Sequence, residues 1–341
     1  MFLWRDIIGT QGSSLSTRGH PRFKERSFQT LSWENEPHRG GGVDAFGRYG
    51  DIIPDFKLFL DSLKESSPTH LRVNSLKCDP SIVVERLLSR GVPVRRVREG
   101  DNTLLSAPGL DNPGKLLEYA LGYIHPQALT SCLASLALEV RGESFVLDLC
   151  ASPGGKTSHL AQLMNNGGLI IANELYSGRR VPLGHTLARL GVMNAVITGY
   201  PAQEFPLRHS FDYVLADVPC SGEGRFRKEN TFSRYEEKGF RHRLQNLQKK
   251  AIIRGFDLLN QGGEMVYSTC TYDPEENESV VQRLLLERDA HLLPINLKFQ
   301  QEPGLSSWKG ETYGPGMEKA ARFYPHRLDS VGFFLARIRK G

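Results

Sequence analysis

Cys220 and Cys270 are the residues of this chain whose surroundings most suggest chemistry. Each follows a short apolar run, Phe211–Ala216 ahead of Asp217-Val218-Pro219-Cys220 and Glu264–Ser268 ahead of Thr269-Cys270. One cysteine after a strand is more often a small buried residue. Two, after different strands, with Asp217 leading into one of them, suggest paired work. A thiolate can add to carbon 6 of a pyrimidine and so make carbon 5 nucleophilic. A carboxylic acid near N3 would stabilise the charge that develops. A methyl donor held nearby could alkylate carbon 5, and a second thiol could assist the elimination that restores the ring.

A donor needs a site, and Val146–Thr157 (VLDLCASPGGKT) has the form of one. The apolar run Phe145–Leu149 is followed by Pro153-Gly154-Gly155, then by Lys156 and a helix-like continuation. A strand that ends in a glycine turn and opens a helix builds a ligand site. Neither GxGxxG nor GxxxxGK[ST] is present, so this is not a dinucleotide fingerprint or a P-loop. Standing alone, Pro-Gly-Gly is as readily a plain tight turn. Glu174 shifts the balance: it lies about 20 residues beyond the glycines, where an acid accepts ribose hydroxyls in such sheets.

The elements that must position these groups alternate. Strands are predicted at Phe145–Leu149, Gly168–Asn173, Ala195–Thr198, Phe211–Ala216, Glu264–Ser268 and Val331–Arg337. Helices are predicted at Lys156–Met164, Val181–Leu190, Phe240–Leu259 and Glu275–Glu287. This alternation predicts an α/β fold, a doubly wound and mostly parallel sheet covered on both faces. Ligands in such sheets sit beyond the carboxyl ends of the strands. The glycine turn, Glu174, Asp217, Cys220 and Cys270 all fall at those ends.

Upstream, residues 46–115 read as a small α+β unit. Ile52–Leu63 has helical spacing, His70–Asn74 is a short strand with Arg72 and Asn74 on one face, and Pro80–Arg90 is a helix. Val92–Arg98 is β-rich and carries Arg95, Arg96 and Arg98, a cluster that suits an RNA backbone. A turn or strand at Tyr119–Ile124 and a helix at Ala128–Leu138 lead into the main domain, 116–341. Residues 1–45 show no hydrophobic period and read as a flexible arm.

The 341 residues are 39% hydrophobic and 24% charged, with a net charge of +5. That fits a globular protein with a mild basic bias, and no apolar run reaches the length of a membrane span. Five cysteines without a CxxC pair argue against a disulfide framework and against a zinc site. Free thiols fit a reducing compartment such as the cytoplasm. The acid-poor stretch 1–33 has some transit-peptide character, and a basic RNA-contacting tail would look the same.

Taken together, the motifs resemble the Sun-type (Nol/Nop/Sun) RNA cytosine-5 methyltransferases, above all their bacterial ribosomal-RNA members. The matching stretches are Arg72–Lys77 (RVNSLK), Leu149–Thr157, Asn173-Glu174, Asp217–Lys228 (DVPCSGEGRFRK), Tyr267–Glu278 (YSTCTYDPEENE), and His326 with Gly332-Phe333-Phe334. They occur in the family's order across about residues 46–341.

The resemblance implies a Rossmann-like S-adenosylmethionine-dependent methyltransferase domain preceded by a small α+β RNA-binding domain. S-adenosylmethionine would be bound by Cys150, Ala151, Ser152, Pro153, Gly154, Gly155 and Lys156, with Glu174 on the ribose and Arg179 nearby. Asp217 would lie between the methionine end and the target base. Cys270 would be the nucleophile, and Cys220 would help product release. Where the family offers an acid to the adenine edge, this chain reads Tyr200-Pro201-Ala202-Gln203; that acid is missing, and Pro201 with Gln203 or Glu204 marks the place. Arg225, Arg227 and Lys228, beside the Pro-Cys loop, would contact RNA phosphates. The target cytosine would be unstacked, so single-stranded or loop RNA is expected.

The Gly-Glu-Gly-x-x-Arg-Lys run favours ribosomal RNA, with transfer RNA second. The chain stops near the end of the catalytic region, so no appended RNA-binding domain is expected. A monomer without metal or membrane partner is expected too. A non-catalytic ribosome-assembly factor on the same fold would not need both cysteines. An amino-group methyltransferase would not need Cys270.

Overall fold

The computed structural model describes residues 43–229 and 238–341. The expected arm lies outside them except for residues 43–45, which open the 3-10 helix Val43–Tyr49. A helix, Phe56–Ser62, follows, shorter than the apolar spacing of 52–63 suggested.

A small antiparallel sheet comes next, built from β1 (Thr69–Val73), β2 (Arg95–Arg96), β3 (Leu104–Ala107) and β4 (Ile124–Pro126) in the order β2-β3-β1-β4. Leu71, Val73, Leu105, Ala107 and Ile124 bury one face against Val83 and Leu87 of the helix Pro80–Ser89. Asp79 caps that helix by accepting the Ser81 N–H at 2.8 Å, and Pro80 occupies its first turn, where no donor is required. The sheet takes its fourth strand from beyond residue 115, so the sequence boundary cuts through it. The basic stretch 92–98 pairs only at Arg95 and Arg96, both exposed on the edge.

The main sheet comprises β5 (Phe145–Asp148), β6 (Leu169–Asn173), β7 (Ala195–Thr198), β8 (Phe211–Asp217), β9 (Leu259–Thr269), β10 (Ala290–Leu293) and β11 (Glu302–Pro303). A hairpin of β12 (Ser307–Trp308) and β13 (Glu311–Thr312) stands apart, and β14 (Ala321–Phe323) and β15 (Phe333–Lys340) complete the main sheet. Its order is β7-β6-β5-β8-β9-β15-β14-β11, with β10 also paired to β15. The run β7 to β9 is parallel, and β15 enters antiparallel to β9.

Side chains alternate across this sheet as a period of two requires. Leu147, Val214, Met265, Tyr267, Phe334 and Ala336 face Ile252, Phe256, Val280 and Leu284 of the helices Lys238–Asp257 and Glu278–Glu287. Val146, Ile170, Leu215, Val266, Phe333 and Leu335 face Cys132, Leu133, Leu160 and Ala161 of the helices Leu129–Ala137 and Gly155–Leu163. Both faces are dry, which explains the near-continuous apolar runs of the central strands. The architecture is a Rossmann-like, doubly wound α/β sheet.

From β5 the chain winds outward through β6 to β7, then returns to β8 on the other side of β5. Strand order therefore reverses between β5 and β8, and the crevice beyond their carboxyl ends is where such a sheet receives a ligand. Among the described residues, no helix is long and apolar enough to cross a membrane.

Candidate active site

Each half of the crevice comes from a sequence that leaves a buried strand abruptly. At the end of β5, Ala151 N–H bonds the Asn173 carbonyl at 2.8 Å and Gly154 N–H turns back to Ala151 O at 2.7 Å. Gly154 has φ +101°, in the region that favours glycine. A Cβ there would sit 3.1 Å from Leu183 Cδ1, so the turn packs tightly on the helix Ser177–Arg189. The first-turn N–H groups of the helix Gly155–Leu163 have no intrahelical acceptor and form the positive end of its dipole.

Arg179 ties this turn to the end of β6. It donates to Ser152 O at 3.2 Å and lies 3.5 Å from Glu174 Oε2, while Ser152 Oγ returns a bond to Arg179 O at 3.0 Å. Glu174 Oε1 accepts the Tyr176 N–H at 2.9 Å. A carboxylate has about four acceptor sites, so the pair leaves Glu174 able to accept further hydroxyls. Pro201 leads into the 3-10 turn Ala202–Glu204 beyond β7, and Tyr200 N–H is held by Asn173 Oδ1 at 2.9 Å. That bond brings the place of the missing acid next to the end of β6.

Asp217 ends β8 opposite Ser268 of β9. Ser268 Oγ donates to Asp217 Oδ1 at 2.7 Å and Lys156 Nζ to Oδ2 at 2.6 Å, so the acid is gripped on both oxygens. Burial alone would lower the Lys156 ammonium, but the charge and hydrogen bond of Asp217 outweigh it and hold Lys156 above its usual value. Deeper in, Asp148 is fully buried. Thr157 bonds its Oδ2 at 2.7 Å, its Oδ1 has no protein partner, and burial pushes its carboxyl up to about 7.

Because β8 and β9 are parallel neighbours, Cys220 and Cys270 leave the sheet at the same edge. Their sulfurs lie 3.2 Å apart, in contact and well beyond bonding distance. The Cys270 N–H also points at Cys220 Sγ, at 3.2 Å. The two thiols share one hydrogen bond, and it acts on them in opposite senses. The Cys220 thiol bonded to Cys270 holds the Cys270 thiol below its usual range; burial opposes this, and the charges of Arg225 and Lys156 assist it. Cys220 is raised, first by that same bond with Cys270 and then by burial. Burial also raises Cys150, so of the thiols at this edge Cys270 is the one poised as thiolate.

A family model described as 16S rRNA methyltransferase RsmB/F matches residues 135–339. The chain belongs to the RsmB/F methyltransferase family. It is 33% identical over 344 aligned residues to the human 28S rRNA (cytosine(4447)-C(5))-methyltransferase, covering 98% of this chain and 42% of that protein. It is 39% identical over 230 residues to the tRNA (cytosine(49)-C(5))-methyltransferase of Pyrococcus abyssi, covering 67% and 74% respectively. A solved methyltransferase homologue from Pyrococcus horikoshii superimposes with a TM-score of 0.77 at 32% identity, over 86% of this chain and 94% of that one. The chain spans about half the length of the curated rRNA relatives of human, mouse and worm that it matches.

For this RsmB/F member, three residues expected on RNA are corrected. Arg72 is fully buried, bonded to Gln127 Oε1 at 3.1 Å, to Ser158 Oγ at 2.6 Å and to Gln162 Oε1. Asn74 is buried with its amide on the carbonyls of Gly122 and Leu190. Both point into the seam between the two sheets, a face that the strand's alternation alone could not distinguish from solvent. The Arg227 side chain is 4% exposed and is spent on Asp329 at 2.6 Å and on the carbonyls of Glu65 and Ser66. Arg225 is exposed. The Lys228 side chain lies outside the described residues.

Other residues that shape the site were not singled out from the sequence. Ser268 was read only as strand. Glu276 accepts the Ser221 N–H at 3.0 Å and the Gln248 amide at 2.7 Å, and Gln248 also holds Pro219 O at 2.8 Å, so together they hold the Pro-Cys loop. The acid-rich run after Cys270 was the one available signal. Among the described residues, no cluster of His, Cys, Asp or Glu is arranged to hold a metal ion.

Proposed function

We propose that this protein transfers a methyl group from S-adenosylmethionine to carbon 5 of a cytosine in RNA, with ribosomal RNA as the substrate. The observation that carries this reading is the contact of Cys220 and Cys270 sulfurs at 3.2 Å beside the Lys156–Asp217 pair. An amino-group methyltransferase has no use for it.

S-adenosylmethionine supplies an electrophilic methyl group on sulfur. The residues present fit it: a glycine turn at a helix start, Glu174 with acceptor capacity for a ribose diol, and the acids Asp148 and Asp217 for the cationic methionine end. The Cys270 thiolate forms a bond to carbon 6, and the electron pair of the 5,6 double bond becomes available at carbon 5. Lys156 and Asp217 offer charge and hydrogen bonding at the pyrimidine edge. After alkylation, the Cys220 sulfur as thiolate would accept the proton from carbon 5, the C–H electron pair would restore the 5,6 double bond, and the sulfur–carbon 6 bond would break to return the Cys270 thiolate.

Ribosomal RNA is favoured because the human, mouse and worm rRNA relatives align along 98% of the chain, whereas the Pyrococcus abyssi tRNA relative aligns along 67% of it. The exposed Arg225, next to the thiols, and the exposed Arg95 and Arg96 are the basic groups for RNA phosphates. A reducing compartment suits a thiol nucleophile. Bisulfite sequencing of total RNA from cells with and without the protein tests the reading. A protein-dependent 5-methylcytosine in ribosomal RNA is the expected result. A site in transfer RNA alone would replace the substrate, and no site in either would reject the reaction.

A further inference from the structure

Arg48 stands upstream of the family match and of every motif in the sequence, yet its guanidinium reaches both cysteine loops. It pairs with Glu223, three residues after Cys220, and lies 3.6 Å from Asp273, three residues after Cys270. Arg241 holds the same Asp273 oxygen, Oδ2, at 2.5 Å. Beside Arg48, Tyr49 Oη donates to Glu223 Oε2 at 2.6 Å.

Glu223 in turn anchors the residues adjacent to both thiols. Thr271 Oγ1 donates to Glu223 Oε2 at 3.2 Å, and Ser221 Oγ donates to Thr271 Oγ1 at 2.7 Å. Ser221 follows Cys220 and Thr271 follows Cys270. The backbone repeats the link, with Gly224 N–H bonding the Cys270 carbonyl at 2.9 Å. With Arg48 donating to Oε1 and Tyr49 and Thr271 to Oε2, Glu223 accepts on both oxygens, as a carboxylate does. Burial acts against that, raising Glu223 to about 7, and Arg48 is the cation that opposes it. Aromatic packing backs the polar link: Phe46 meets Phe226 at 5.4 Å and Tyr49 meets Tyr272 at 6.2 Å between ring centres.

We propose that Arg48, assisted by Tyr49, is a positioning residue for the thiol pair: by clamping Glu223 and Asp273 it fixes Ser221 and Thr271, and so keeps the Cys220 and Cys270 sulfurs in contact. The segment 43–49 therefore belongs functionally to the catalytic unit rather than to an RNA-binding region. The effect on turnover rests on the methyl-transfer reading; the effect on the thiols does not.

The test compares Arg48→Met, Arg48→Lys, Glu223→Gln and Arg327→Ala with the unchanged full chain. Arg327→Ala removes the 2.6 Å pair with Asp55 on the same N-terminal segment and does not touch Glu223. Iodoacetamide labelling of Cys270, followed by mass spectrometry across pH, reads its thiolate directly. Arg48→Met and Glu223→Gln should slow labelling about tenfold near neutral pH, because the thiolate loses its fixed partner. Turnover should fall by about 100-fold, with KM for S-adenosylmethionine nearly unchanged, as expected for misplacement on the order of 1 Å. Arg48→Lys should recover part of both losses, and Arg327→Ala should match the unchanged chain. Unchanged labelling in Glu223→Gln, which preserves shape, overturns the proposal even if Arg48→Met fails to fold. Equal losses in Arg327→Ala overturn it too, since they would reflect general loosening. If the unchanged chain methylates no RNA, the functional reading fails while the labelling still decides the clamp.

Discussion

At the scale of single residues, two chemically identical thiols are made different by what surrounds them. The bond with Cys220 and the positive charges of Arg225 and Lys156 hold the Cys270 thiol below its usual range against its burial, while the same bond and burial raise Cys220. Cys270→Ala is therefore expected to reduce methyl transfer to background while S-adenosylmethionine binding, measured by calorimetry, persists. Cys220→Ala should still form the bond to carbon 6 but release it poorly, giving a protein–RNA adduct that survives denaturing gel electrophoresis. Absence of that adduct, together with activity in Cys270→Ala, would contradict the thiol mechanism. Asp217→Asn keeps the shape and the Ser268 bond but removes the charge facing Lys156. Turnover should drop by about 100-fold or more, the scale of lost acid–base assistance, measured by tritiated methyl transfer.

At the scale of elements, the site depends on how closely two loops and the start of β15 can pass one another. Gly332 donates its N–H to Gly224 O at 2.9 Å, and a Cβ on Gly332 would fall 2.2 Å from the Tyr272 ring. Tyr272 is fully enclosed by Phe46, Phe59 and Tyr324, so it has nowhere to go. Gly332→Ala should thus cost about 1–3 kcal/mol as overpacking, read as a lowered urea midpoint. It should lower turnover beyond the loss of folded protein, because Tyr272 lies two residues from Cys270. Wild-type turnover in a destabilised Gly332→Ala protein would show that the loops tolerate the displacement.

At the scale of the whole molecule, the small sheet and the catalytic sheet meet across a buried polar seam. Arg72 reaches from β1 to Ser158 and Gln162 on the helix that begins at the glycine turn. His125 of β4 faces Arg189 across 3.0 Å through Nδ1, which is an acceptor there. Arg72→Met strips several charge-assisted bonds and should destabilise by at least about 3 kcal/mol. The salt dependence of RNA binding by the folded fraction should not change, as it would for a lost phosphate contact. His125 is held down to about 3 by burial and then by the charges of Arg72 and Arg189. Unfolded, it titrates near 6.5, so its contribution is present above that value and lost as pH falls toward about 3. Asp148, raised to about 7 by burial, acts in the opposite sense, favouring the fold below about 4 and losing that contribution as pH rises to about 7. Between about pH 7 and about pH 4 the His125 loss is set against the Asp148 gain, so His125 is read by difference: the urea midpoint of His125→Asn, which keeps an acceptor toward Arg189, should move upward relative to that of the unchanged chain as pH falls. Parallel curves for the two proteins would remove His125 from the account.

What the chain determined by itself was local and periodic. Near-continuous apolar runs marked β5, β6, β8 and β9, and strand-ending turns marked the glycine loop and both cysteine loops. A doubly wound, mostly parallel sheet followed from alternation because parallel strands require crossovers, whereas strand order, and with it the crevice between β5 and β8, was decided by the tertiary structure. Which face a polar residue of β1 would present was not local. Arg72 and Asn74 alternate as an exposed face would, and only the docking of one sheet on another turned that face inward. The same holds for Arg48, Glu223, Ser268 and Glu276, whose partners lie far along the chain. Proximity at such separations is a property of the folded state, since nothing in a residue's own neighbourhood encodes which distant group will neutralise its charge.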